Sequence, residues 1–274
     1  MRRIVWALPA AIALVCGCGA GLSGPQAASQ SPVTPRASAT ASPAPRSNQA
    51  GSGILRGKVV AVDPGHNGGN FYAASAIGKL IWNGRETETC DTAGAETDSG
   101  YTEATFNWDV ARYLTADLRA EGATVVLTRT SNTGVGPCVT ERAAIGNRAR
   151  ADAAISVHAD GGPPGGRGFA ILEPVADGPD NAIIGPSVTL GADLRAAFAR
   201  GTGEPVSSYD GTDGVAFRDD LAGLNLSRVP KVFIECANMR NATDAALVTS
   251  PRWQAEAARA IAAGLTDFLA RAGA

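Results

Sequence analysis

His66 and His158 are the only two histidines in this chain of 274 residues, and each closes a run that reads as a buried strand. Val59 to Asp63 is a β-branched run stopped by Pro64 and Gly65, which delivers His66 just past its carboxyl end. Ala153 to His158 repeats the arrangement and is followed by Ala159-Asp160-Gly161-Gly162. A third run, Lys231-Val-Phe-Ile-Glu235, ends on a carboxylate. A charge there has no inexpensive structural explanation beyond a buried ion pair, for which Arg129 and Arg240 are the candidates. Glu103 opens a helix, where the dipole alone favours an acid, so it carries little weight by itself. Two imidazoles and a carboxylate suit Zn²⁺ and leave a fourth position for water. One more carboxylate outside such a shell could take that water's proton.

Residues so far apart in sequence meet only if their strands lie side by side. In open parallel sheets ligands bind at the carboxyl ends of the strands. The pattern supplies the intervening elements. Thr102 caps a helix with Phe106, Val110, Tyr113, Leu114 and Leu118 inward, and Ala123 to Thr128 is a second strand. Thr140 to Arg150 is a helix with Ala144, Ile145 and Ala149 inward. Gly168 to Glu173 is a further strand, and Ser187 to Arg200 a helix with Leu190, Leu194, Ala197 and Phe198 inward. Arg252 to Ala270 closes the chain as an amphipathic helix built on Ala257, Ile261, Leu265, Phe268 and Leu269. Asn70 to Gly100 is a long irregular stretch with room for a hairpin over Tyr72 to Trp82, and Gly201 to Val229 is loop-rich. The expected architecture is one α/β domain, a mostly parallel twisted sheet flanked by helices, with the zinc site at the carboxyl edge of the strands.

The start of the chain reads differently. Met1-Arg-Arg3 followed by the apolar Ile4 to Val15 is too short to span a bilayer and right for an export signal. Residues 1–18 are therefore read as a signal peptide, with Val15-Cys16-Gly17-Cys18 loosely like a lipoprotein cleavage box. Cys18 is the residue a lipid would take, although Cys16 sits where a small residue is usual; plain secretion is the alternative. Residues 19–53, rich in Ala, Ser and Pro with no acidic residue, read as a disordered tether with a reach of roughly 30–35 Å. Residues 54–274 hold all 26 acidic residues and 20 of the 24 basic ones, so that part is near −6 and a poor partner for nucleic acid. Cys90 and Cys138 lie in polar loops of an exported chain and are expected to form a disulfide, while Cys236 reads as a small buried hydrophobe. The product is expected outside the cytoplasm, in the periplasm, in the wall or anchored to the membrane, as a monomer.

Val-Asp-Pro-Gly-His66, Glu103 heading a helix, Leu-Thr-Arg129, Glu-Arg142 with Asn147, Ile-Ser-Val-His158 and Phe-Ile-Glu235 together resemble the zinc-dependent N-acetylmuramoyl-L-alanine amidases. The similarity runs in order from Val59 to Ala270, and is greatest to short single-domain members without wall-binding repeats. It implies that His66, Glu103 and His158 bind Zn²⁺, that Glu235 is the catalytic carboxylate, and that peptidoglycan or muropeptide fragments are the substrate. The reaction implied is hydrolysis of the amide between the lactyl group of muramic acid and L-alanine. Asp63 and Asp160, beside the two histidines, are candidates to orient them, with turn capping as the alternative. Asn67 departs from a glycine frequent in the family after its first histidine. Two other readings use the same residues: a zinc peptidase cutting within the stem peptide, and a non-catalytic wall-binding lipoprotein on this scaffold.

Overall fold

The structure is a computed structural model and describes residues 53–176 and 181–271. The proposed signal peptide with Cys18, and the tether except its last residue, lie outside the described residues. In chain order the elements are β1 (Val59–Pro64), a 3-10 turn (Asn70–Tyr72), α1 (Ala74–Ile77), β2 (Leu80–Trp82), β3 (Thr87–Thr89), α2 (Glu103–Ala120), β4 (Thr124–Leu127) and α3 (Val139–Arg148). They continue with β5 (Ala153–Asp160), β6 (Ala170–Pro174), α4 (Ile184–Thr202), β7 (Val215–Arg218), α5 (Ala222–Asn225), β8 (Lys231–Asn238), α6 (Ala242–Val248) and α7 (Pro251–Arg271).

Six strands form one sheet in the order β4-β1-β5-β8-β6-β7, and β2 pairs with β3 in a separate hairpin. Every pairing in the large sheet is parallel except β8 with β6. The period of two along each strand divides the residues between two faces. Val60, Val62, Ile155, Val157, Val232, Ile234 and Cys236 join the main core with α2, α4 and α7. The alternate residues Asp63, Ser156, His158, Lys231, Phe233 and Glu235 therefore belong to the opposite face, toward α3 and α5. Cys236 is buried in that core and is a free thiol, as its apolar run implied. Among the described residues no helix is long and apolar enough to cross a membrane.

Three expectations need correction. The hairpin within Asn70 to Gly100 lies later than expected: Ala74–Ile77 is a helical turn, and Leu80–Trp82 pairs with Thr87–Thr89. The inward side of α3 is Arg142, Ala143 and Gly146 rather than Ala144, Ile145 and Ala149. Tyr113 of α2 is 40% exposed and lies outside the core.

The α3 face follows from what it covers. Asp63 is buried on that side and accepts from Thr128 Oγ1 (2.6 Å), Ser156 Oγ (2.6 Å) and Arg142 Nη1 (2.9 Å), with Lys231 Nζ at 3.4 Å. Burial alone would raise its pKa, but Lys231 and Arg142 hold it far below the usual carboxylate range. Asp63 therefore neutralises a buried ion cluster and makes no hydrogen bond to either histidine. Asp63→Asn leaves Lys231 without its counter-charge and Arg142 with Asp91 alone, and is expected to cost about 3–5 kcal/mol in denaturant unfolding. The native carboxylate stabilises the fold above its unfolded pKa of about 3.9 and loses that contribution as pH falls through its much lower folded value. The deficit of the variant should accordingly be constant from pH 5 to pH 8, on the order of full size throughout.

Candidate metal centre

β1 ends at Pro64, and the chain then turns sharply enough to place His66 in the left-handed region at φ 55°. Such a backbone is uncommon for a residue with a side chain and persists only where the surroundings over-determine it. Here Arg142 Nη2 donates to the His66 carbonyl at 2.8 Å, and Arg129 Nε and Arg142 Nη1 both hold the Pro64 carbonyl. Gly65 is required by close approach, since a Cβ there would fall 2.1 Å from the His158 ring. His158, near the end of β5, is in register with Glu235 of β8, and the register of the two strands shifts directly after it. Its ring stacks on Phe233 at 5.2 Å.

Glu103, the first residue of α2, joins the two histidines. Its Oε1 lies 3.2 Å from His66 Nε2 and 2.8 Å from His158 Nδ1, and its Oε2 accepts from the Ala95 amide at 2.8 Å. One donor atom from each of these three residues lies within 4.8 Å of the others, a group able to hold a metal ion. Burial pulls the His66 pKa down, but the Glu103 and Asp91 carboxylates outweigh it and hold it up to about 10. The same imidazoles keep Glu103 well below the carboxylate range against the effect of its burial. A buried carboxylate held between two imidazoles is a donor set that a divalent cation can occupy. Two nitrogens and one oxygen at this spacing fit the donor preferences of zinc.

Glu235 faces the same cleft, an opening of about 240 Å³ lined by His66, Glu103, His158, Asp160, Arg218 and Glu235 among others. Its Oε2 is buried with no hydrogen-bond partner. Burial first, then the Glu103 and Asp160 carboxylates, push its pKa well above the usual value. Neither candidate arginine relieves it: Arg129 donates to the carbonyls of Pro64, Gly65 and Ala104, and Arg240 pairs with Asp98. Asp160 does not orient His158. It caps a turn, accepting from the Gly161 amide at 2.6 Å.

Besides Glu103, the carboxylate that touches a histidine is Asp91, whose Oδ1 lies 3.1 Å from His66 Nδ1. Sequence reading missed it, and its sole signal was a position directly after Cys90. Arg218 was missed as well; it is the cationic residue of the cleft and is forked onto Asp220. A second cavity of about 130 Å³ is also lined by His66 and His158, together with Glu88, Val139, Ala222 and Phe233. The β2–β3 hairpin walls it, fixed by Glu88 accepting from the Ala222 amide (3.0 Å) and by Asn83 donating to the Asp220 carbonyl (3.1 Å). The expected Cys90–Cys138 disulfide is present, with a Cα–Cα distance of 4.7 Å.

Fold and site together define an α/β domain with a His–Glu–His group able to hold a metal ion, and a carboxyl with one unpartnered oxygen beside it, at the carboxyl edge of its sheet. Residues 60–267 match the family described as N-acetylmuramoyl-L-alanine amidase, and the chain belongs to that family of hydrolases. It is 41% identical over 237 residues to an N-acetylmuramoyl-L-alanine amidase of Mycobacterium tuberculosis, covering 86% of this chain and 96% of the relative. Crystal structures of N-acetylmuramyl-L-alanine amidases from Mycobacterium smegmatis and Mycobacterium abscessus are similar to it. The first is 43% identical with a TM-score of 0.75, covering 80% of this chain and 99% of its own. The second is 39% identical with a TM-score of 0.74, covering 78% and 100%.

Proposed function

We propose that this protein hydrolyses the amide joining the lactyl group of N-acetylmuramic acid to L-alanine, in peptidoglycan or in fragments of it. His66 Nε2, Glu103 and His158 Nδ1 hold a Zn²⁺ ion, and Glu235 handles protons. When bound, the ion supplies Lewis acidity, bringing a water to a pKa of about 7 and polarising an amide carbonyl. Glu235 accepts the proton of the attacking water and returns it to the departing amine. Phe233 backs His158 and fixes its ring plane, while Glu103 spans the two imidazoles and sets their separation. The observation that carries this reading is the buried Glu235 oxygen without a partner beside the only His–Glu–His cluster among the described residues.

Action on the wall requires export. Residues 1–18 serve as the signal and 19–53 as a tether, with Cys18 as the site of a lipid anchor where one is attached. The role in turnover or cell separation follows from the same substrate.

The test is incubation of the purified zinc-loaded protein with muramyl dipeptide and with intact peptidoglycan, read by mass spectrometry. The expected product is a free peptide beginning with L-alanine, lost on chelation and restored by zinc. Cleavage between residues of the stem peptide would instead make the protein a peptidase, and zinc binding without any product would make it a scaffold.

A further inference from the structure

We propose that Asp91 is a positioning residue for His66, and that the Cys90–Cys138 bridge acts on metal retention by holding Asp91 in place. This rests on the reading of His66 as a metal ligand. His66 Nδ1 faces three oxygens: Asp91 Oδ1 at 3.1 Å, the Thr92 carbonyl at 3.2 Å and Thr92 Oγ1 at 3.3 Å. Acceptors on that side assign the ring proton to Nδ1 and leave the Nε2 lone pair for a cation next to Glu103. A charged acceptor does more than a neutral one, because it also raises the basicity of the nitrogen that binds.

Asp91 is built to stay where it is. Its Oδ1 also accepts from the Thr92 amide at 2.8 Å, which places the Thr92 carbonyl beside the same ring nitrogen. Its Oδ2 accepts from Asn67 Nδ2 at 3.1 Å and from Arg142 Nη2 at 3.3 Å. The carboxylate is thus fixed by the residue that follows His66, by the residue that follows Asp91 itself and by Arg142 of α3, and it is buried.

The backbone beneath it belongs to a segment with little regular structure, and cross-links take the place of a strand or helix. The Cys90 amide donates to the Lys79 carbonyl (2.7 Å), the Asp91 amide to Ile77 (3.2 Å), and the Val139 amide to the Cys90 carbonyl (2.9 Å). The disulfide closes this set one residue before Asp91 and four residues before Arg142. One covalent bond therefore joins the segment that carries the acceptor to the helix that carries its guanidinium clamp. A loop of this length left untethered would sample many positions of Asp91, and only one of them meets His66.

The experiment is a zinc affinity measurement by competition with a chromophoric chelator, with melting of the metal-free protein in parallel. Asp91→Ala is expected to weaken zinc binding about 10–100-fold. Asp91→Asn, which keeps an acceptor for Nδ1 but loses the charge, should lose less, and it also serves if the alanine variant does not fold. Cys90→Ser/Cys138→Ser should weaken binding as well, and adding Asp91→Ala to it should give no further loss beyond Asp91→Ala alone. Unchanged zinc affinity in Asp91→Ala with a lowered melting temperature would reduce Asp91 to a structural role and overturn the proposal. Losses that multiply in the combined variant would overturn the link to the disulfide. Wild-type protein that binds no zinc would show instead that the metal reading itself is wrong.

Discussion

Glu235→Gln is expected to lower kcat/KM for muramyl-L-alanine amide hydrolysis by about 10²–10⁴, the range for loss of a positioned general base. The same variant should keep zinc affinity within a few-fold of wild type. The two outcomes separate because Glu235 lies next to the donor group without belonging to it. Glu103 touches both imidazoles, whereas Glu235 lines the cleft with an oxygen that no protein group satisfies. Glutamine matches the shape and cannot take a proton.

A stability readout runs in the opposite direction. The pKa of Glu235 is raised by burial and by its acidic neighbours. For an acid so shifted, the contribution to stability is fully present below the unfolded pKa of about 4.3 and is lost as pH rises through the folded value. Metal-free Glu235→Gln should therefore melt level with wild type near pH 4 and above it near pH 8. Retained hydrolysis would remove Glu235 from the mechanism, and lost zinc binding would make it a ligand.

The part of this site that could be read from sequence is the part fixed by burial on two faces. β1, β5 and β8 are buried on both sides, so a polar residue at their ends is conspicuous, and parallel pairing then brings the ends together. That reasoning reached His66, His158 and Glu235, and helical periodicity placed α2, α4 and α7. It failed where contacts are made by polar or small residues. The covered side of α3 is Arg142, Ala143 and Gly146, because it closes over the buried charge of Asp63; a hydrophobic pattern cannot register an arginine turned inward.

Asp63 misled for the same reason. Its nearness to His66 in sequence suggested an orienting role, but the period of two turns it toward Ser156, Lys231 and Arg142. Asp91 lies 25 residues from His66 and reaches it only through a segment tied down by the disulfide, so no local pattern could reveal it. The short β7, α5 and α6 escaped because four to seven residues carry too little periodicity to be seen before their partners are known.

His158→Ala removes one of three donors and should abolish the effect of zinc on both activity and stability. A ligand bound to the native state raises stability by RT ln(1 + [L]/Kd), which is about 2.7 kcal/mol at one hundred times Kd. Wild-type protein should therefore melt higher with zinc than after chelation, and His158→Ala should melt at one temperature in both. Loss of the ion's Lewis acidity removes several kcal/mol of transition-state stabilisation, so turnover should fall by on the order of 10³ or more. The substitution also strips the ring that stacks on Phe233 and closes over Gly65, so the metal-free variant should melt below metal-free wild type. The zinc-dependent difference isolates the metal from that packing loss, since both proteins are compared with themselves. A zinc-induced rise in His158→Ala as large as in wild type would place the ion elsewhere and leave His158 as a packing residue.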